Sequence, residues 1–133
     1  MIELSHISTG YGIKIILNDV SVAFEKGKLT SIIGANGSGK STLLKTILGI
    51  LPSKSGNITI DGARLKEMSR NDIARRIAYL SQEKNTPDMT VEQLVLHGRF
   101  PHLSYPRRYT DKDRIIAVGV MEQMGIVEYA HKP

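Results

Sequence analysis

The stretch Leu29-Thr30-Ser31-Ile32-Ile33-Gly34-Ala35-Asn36-Gly37-Ser38-Gly39-Lys40-Ser41-Thr42-Leu43-Leu44 joins an apolar run, a glycine-rich turn and an amphipathic run. Residues 34–41 spell G-x-x-x-x-G-K-[ST]. Leu29 to Ile33 reads as a strand buried on both faces, the kind found in parallel sheets covered by helices. Leu43, Leu44, Ile47 and Leu48 recur at helical spacing and predict a helix from about Lys40 to Ile50. A turn between two such elements brings successive main-chain N–H groups round an anion. Gly37 and Gly39 let backbone approach a phosphate closely and take positive φ without steric cost, while Gly34, Asn36 and Ser38 complete the loop. The unpaired N–H groups and the positive dipole end at the helix start favour the same anion. Lys40 then reaches the β- and γ-phosphates, the Ser41 hydroxyl binds Mg²⁺, and Thr42 adds a hydroxyl on the α-phosphate side. The expected ligand is a nucleoside triphosphate, ATP before any other.

Working outward, Ile2, Leu4 and His6 alternate with Glu3 and Ser5, and Val20, Val22 and Phe24 alternate with Ser21, Ala23 and Glu25. Both read as half-buried strands, with Lys26-Gly27-Lys28 a tight turn into the loop strand. After the helix, Leu51-Pro52-Ser53-Lys54-Ser55-Gly56 is a breaker cluster, and Asn57 to Gly62 is a short strand and turn. Asp61 ends that strand and imitates a Mg²⁺-binding aspartate, but the following Gly62 marks it as a turn residue. Ser69 with Asp72, Thr90 with Gln93 and Thr110 with Asp113 have the spacing of capping boxes that open helices. Ile77-Ala78-Tyr79-Leu80-Ser81-Gln82 reads as a buried strand ending in a polar pair. Residues 99–109, with two prolines and several aromatics, read as a loop. Thr110 to about Met124 reads as a helix stopped by Gly125.

The chain has 133 residues, enough for one ordinary domain with a core. Eighteen basic and 13 acidic residues leave a net +5. The positive residues are scattered, so the surplus suits anionic ligands or a membrane-proximal surface and falls short of a nucleic-acid footprint. There are no cysteines, which rules out disulfides and thiolate metal sites and fits a reducing compartment. The N-terminus begins an alternating strand, not a signal peptide, and no apolar run reaches the roughly 20 residues that span a bilayer. His97, His102 and His131 are too dispersed for a metal site.

The order of these features resembles the ATP-binding subunit of an ABC transporter. Besides the loop, the likeness rests on Tyr11-Gly12, on Ser55-Gly56-Asn57-Ile58-Thr59-Ile60-Asp61-Gly62, and on Ile77-Ala78-Tyr79-Leu80-Ser81-Gln82. Val-Leu-His-Gly-Arg-Phe-Pro-His, residues 95–102, is similar to subunits that power iron-siderophore, haem or vitamin B12 importers. The resemblance implies an α/β P-loop NTPase fold of the cassette type. Its parts would be an N-terminal antiparallel β subdomain (1–28), the phosphate-loop core through the Q-loop glutamine (29–82) and the start of a helical subdomain (83–133). It implies that Tyr11 stacks on adenine and that Gln82 contacts Mg²⁺ or the attacking water. The loop after Gln82 would report nucleotide state to a membrane partner. The implied partners are a second nucleotide-binding subunit and integral-membrane permease subunits, at the cytoplasmic membrane face, with no nucleic acid.

Family members continue with an LSGGQ-type signature, an apolar strand ending in Asp-Glu and a switch histidine, and this sequence shows none of them. In such enzymes that glutamate orients water for attack on the γ-phosphate. Lys40 and Gln82 are therefore supporting residues without a general base, and the chain alone is expected to bind ATP with negligible turnover. The loop strand, without sheet neighbours, is expected to expose apolar surface. The alternatives are a non-hydrolysing nucleotide-binding module, or a relative acting in DNA repair or translation.

Overall fold

The computed structural model describes residues 1–82 and 88–133 and divides into two compact units, Met1–Ile77 and Ala78–Pro133. In the first, β1 (Ile2–Tyr11), β2 (Lys14–Phe24), β3 (Ser55–Ile60) and β4 (Ala63–Arg64) form one antiparallel sheet in the order β2-β1-β3-β4. Helix α1 (Lys40–Ile47) packs on one face of it, and Leu4, Ile7, Leu17, Leu43, Ile47 and Ile58 make the shared core.

The simple alternation expected for the first strand fails at His6. His6 takes φ 52, and Ser5 and His6 together face the single residue Ser21 on β2. This bulge shifts the phase, so His6 turns outward while Ile7 (0% exposed) and Thr9 go into the core. A second bulge at Asp19 (φ 53) restores the register at Thr9–Leu17, a third irregularity at Ile16 shifts it again before Gly10–Ile15, and His6 Nδ1 lies 2.7 Å from Asp19 Oδ1 across the pair. Gly56 (φ 80) backs the first bulge on β3. A Cβ there would meet the carbonyl oxygens of His6 at 2.3 Å and Ser5 at 2.4 Å.

Two further expectations are corrected. Residues 29–33 and 77–82 contain no strand. Main-chain groups form a strand only beside a ladder partner, and among the described residues no parallel neighbour lies against either segment. Leu29, Ile33 and Leu80 are each more than nine-tenths exposed, which is the apolar exposure expected of the loop strand without neighbours. Asp61 (φ 49) and Gly62 (φ 81) make the β3–β4 turn, as the sequence predicts. The Asp61 carboxylate lies 2.6 Å from the Met1 amine and 3.7 Å from Arg76, and the amine's hydrogen bond chiefly holds its pKa below the ordinary range.

All three capping boxes form. Ser69, Thr90 and Thr110 open α2 (Arg70–Arg76), α3 (Val91–His97) and α4 (Asp111–Met124), each reciprocated by the acid or amide three residues on. In the second unit α3 packs on α4, with Leu96, Ala117 and Met121 buried. Asp113 does double duty: it caps Thr110 and takes the Arg99 Nε–H at 3.0 Å. The Thr110 bonds first, then Arg99, push its pKa down to about 2. The predicted 99–109 loop contains one short 3₁₀ turn, Phe100–His102, and Gly125 (φ 65) ends α4.

Candidate functional site: a glycine-rich cradle at the start of α1

Helix α1 begins on Gly39, which sits at φ 97 with no side-chain cap, and its first turn carries no acidic residue. The first helical bond is Leu43 N–H to Gly39 C=O at 2.8 Å. The N–H groups of Lys40, Ser41 and Thr42 therefore have no partner within the helix, and the positive dipole end has no built-in carboxylate to neutralise it. That arrangement fits an external anion.

The loop before it is closed by its own atoms. Ser38 N–H donates to Ala35 C=O at 3.2 Å, turning the chain through Asn36 and Gly37 (φ 80). Lys40 Nζ folds back and donates to the carbonyls of Gly34 at 2.7 Å and Ala35 at 2.8 Å. The ammonium thus ties down carbonyl oxygens that would otherwise repel an anion. Gly34 lets Ser38 approach, since a Cβ at Gly34 would stand 2.6 Å from Ser38 Oγ.

Gly39 is needed twice over. Its φ belongs to the left-handed side, and a Cβ there would stand 2.8 Å from Leu17 Cδ2 and 3.3 Å from Ile16 Cγ2. The β2 strand is thereby the seat on which the phosphate loop turns into α1. Sequence reasoning did not find this contact, because Ile16 and Leu17 look like ordinary strand residues.

Residues 34–38 and Ser41 are exposed, as a ligand-facing loop requires. Thr42, expected to contribute a hydroxyl, is 7% exposed and packs in the interior, where its carbonyl accepts the Thr46 hydroxyl at 2.7 Å. Tyr11 is half-exposed at the end of β1. Gln82 is exposed in the second unit, and residues 83–87, on which the expected nucleotide-reporting segment falls, lie outside the described residues. His97 stacks on Phe100 and lies 3.4 Å from the Tyr109 hydroxyl, and His131 lies 3.8 Å from Glu92. Among the described residues no helix is long and apolar enough to cross a membrane.

Comparison with known proteins gives a consistent result. The family model described as ABC transporter matches residues 17–133. The chain is 41% identical over 133 residues to the iron(3+)-hydroxamate import ATP-binding protein FhuC of Bacillus subtilis (strain 168), covering 99% of this chain and 49% of that protein. It is 35% identical over 125 residues to the ferric enterobactin transport ATP-binding protein FepC of Escherichia coli (strain K12), covering 93% and 46%. The chain spans about half the length of the relatives it matches. A nucleotide-free ATP-binding cassette from an ABC transporter superposes with a TM-score of 0.80 at 21% identity, covering 99% of this chain and 56% of that one. The cassette MJ0796, in a dimeric post-hydrolysis state bound to ADP and Pi, gives 0.74 at 24% identity, covering 100% and 62%. These two likenesses concern the fold.

Proposed function

The chain belongs to the ABC transporter family, and from that premise we propose that it is an ATP-binding, energy-coupling element of an importer for iron-siderophore complexes. The observation that carries the reading is the cradle at the start of α1: free helix N–H groups, two loop glycines at positive φ and Lys40 poised over the loop.

The main-chain amides of residues 37–42 bind the triphosphate, and the first turn of α1, which holds no acidic residue, leaves the dipole to favour it. Lys40 exchanges one or both loop carbonyls for phosphate oxygen, a trade of neutral acceptors for a charged one. Mg²⁺ fits the exposed Ser41 hydroxyl, a hard oxygen donor beside the phosphates, and when bound supplies charge neutralisation between them.

Tyr11 is the base platform, its π-face stacking on adenine. Support comes from the hairpin register, in which Tyr11 pairs with Lys14 and Gly10 with Ile15. Ile16, next along β2, lies against Gly39. The base platform thus stands two residues along β2 from the seat of the phosphate loop, a short span that a ribose can bridge.

The importer assignment is supported by the two relatives above, one an iron(3+)-hydroxamate import and the other a ferric enterobactin transport ATP-binding protein. In that setting the chain works at the cytoplasmic face of a membrane, paired with a second nucleotide-binding subunit and with permease subunits. Alone it is expected to hold ATP without steady turnover, since the sequence shows no apolar strand ending in Asp-Glu of the kind that orients water. The test is paired measurement of Mg-ATP binding and phosphate release. Binding near one ATP per chain, lost in Lys40→Ala, with phosphate release at background, is the expected result. Failure to bind, or steady turnover that Lys40→Ala removes, overturns the respective half of the proposal.

A further inference from the structure

We propose that Lys54 is a positioning residue for the nucleobase, acting by locking the hairpin tip that carries Tyr11. This rests on the reading of Tyr11 as the base platform and adds a residue to it.

Lys54 lies in the segment leaving α1, and that segment is bonded to β1 at two points and to the β1–β2 turn at a third. The Lys54 N–H donates to Ser8 C=O at 2.8 Å, the Thr9 hydroxyl donates to Pro52 C=O at 2.9 Å, and the Lys54 ammonium donates to Gly12 C=O. The first two bonds fix where the lysine stem starts. The third reaches 42 residues back in sequence to the centre of the β1–β2 turn.

That turn has two loop residues, Gly12 and Ile13, of which only Gly12 has positive φ (56). A single positive φ at the first loop position is the pattern of a type II′ turn. In such a turn the middle carbonyl points away from the ladder and has no partner inside the hairpin. Ile13 is fully exposed, so no core contact holds the tip either. An ammonium on that carbonyl is a charge-assisted bond, and it fixes the orientation of the middle peptide. Tyr11, at the first corner of the turn, directly precedes that peptide, so a fixed turn limits the movement of its backbone. Because the segment bearing Lys54 leaves the helix that starts at the phosphate loop, one bonded unit holds the two ends of a nucleotide in register.

A lysine that merely stabilised the fold would affect every ligand alike, whereas this role touches only the base. Calorimetric titration of the whole chain with Mg-ATP and with Mg-tripolyphosphate separates the two. Wild-type chain is expected to prefer ATP. Lys54→Met is expected to weaken ATP binding about 3- to 10-fold while leaving tripolyphosphate within about twofold, and Lys54→Arg, which keeps a cationic donor, to restore most of the loss. Equal loss on both ligands, or unchanged ATP affinity, overturns the role of Lys54 and leaves the nucleotide reading standing. A wild-type chain that binds tripolyphosphate as tightly as ATP overturns the Tyr11 platform and this inference with it.

Discussion

Replacing Gly39 with alanine isolates the link between the β-hairpin and the phosphate loop. The residue sits at φ 97, ψ 4, where an L side chain is strained by about 1–3 kcal/mol. The new Cβ also meets Leu17 Cδ2 at 2.8 Å, closer than real contacts allow. Leu17 is 8% exposed, so its tip must take an off-rotamer position at about 0.5–1.5 kcal/mol. The two costs together come to about 1.5–4.5 kcal/mol, a large share of the roughly 5–15 kcal/mol that holds a domain folded. With a urea slope of about 2 kcal/mol/M, the midpoint of the first unit should fall by about 1–2 M. If the loop instead relaxes to relieve the strain, the amide cradle opens and Mg-ATP affinity drops at least about tenfold. Urea titration by circular dichroism and calorimetry with Mg-ATP report both outcomes. Leu17→Val removes the clashing methyl, so the double variant should regain about 0.5–1.5 kcal/mol relative to additivity. A Gly39→Ala chain with unchanged midpoint and unchanged ATP affinity would refute the reasoning.

Three further outcomes follow from single positions. Gly56→Ala places a Cβ 2.3–2.4 Å from two main-chain carbonyls at φ 80, and neither can yield; loss of the sheet's circular dichroism signal is expected, and a native spectrum would contradict it. Gly119, in the middle of α4, has open space where a Cβ would go. Gly119→Ala should therefore add about 0.8–1 kcal/mol to the helix, read as a melting temperature about 3–5 °C higher. The Asp113 pKa is about 2 in the folded chain against 3.8 as its ordinary value, so its contribution is complete above about pH 4. It declines as the pH falls from 4 towards 2, when the carboxylate gains its proton and loses the Thr110 and Arg99 bonds. Acid titration of the second unit's helical signal should show this loss, and Asp113→Asn should flatten it.

How legible the chain was in its sequence depended on the range of the interaction. The capping boxes, Gly125 and the Asp61-Gly62 turn are set by neighbours within a few residues, and each stands where the spacing places it. The cradle was legible for the same reason, because its glycines, Lys40 and Ser41 act through their own backbone and a helix start. Segments 29–33 and 77–82 were misread because β character depends on a ladder partner, and an apolar run cannot state whether one is present. The bulges at His6 and Asp19 were not legible because His and Asp, though enriched at positive φ, still mostly sit at negative φ, and the exposed His6–Asp19 bond that links the two bulges is long-range. The seat of Gly39 on Ile16 and Leu17, and the reach of Lys54 to Gly12, are long-range contacts between unremarkable residues.

The claim on which the rest depends is that main-chain amides at the start of α1 hold a triphosphate. Amide nuclear magnetic resonance spectra of ¹⁵N-labelled chain, recorded as Mg-ATP is added, address it residue by residue. The largest shifts should fall on Gly37, Gly39, Lys40, Ser41 and Thr42, with the outer sheet face at Glu3, Ser5 and Thr59 unmoved. Saturable ATP binding that leaves those five amides in place would contradict it.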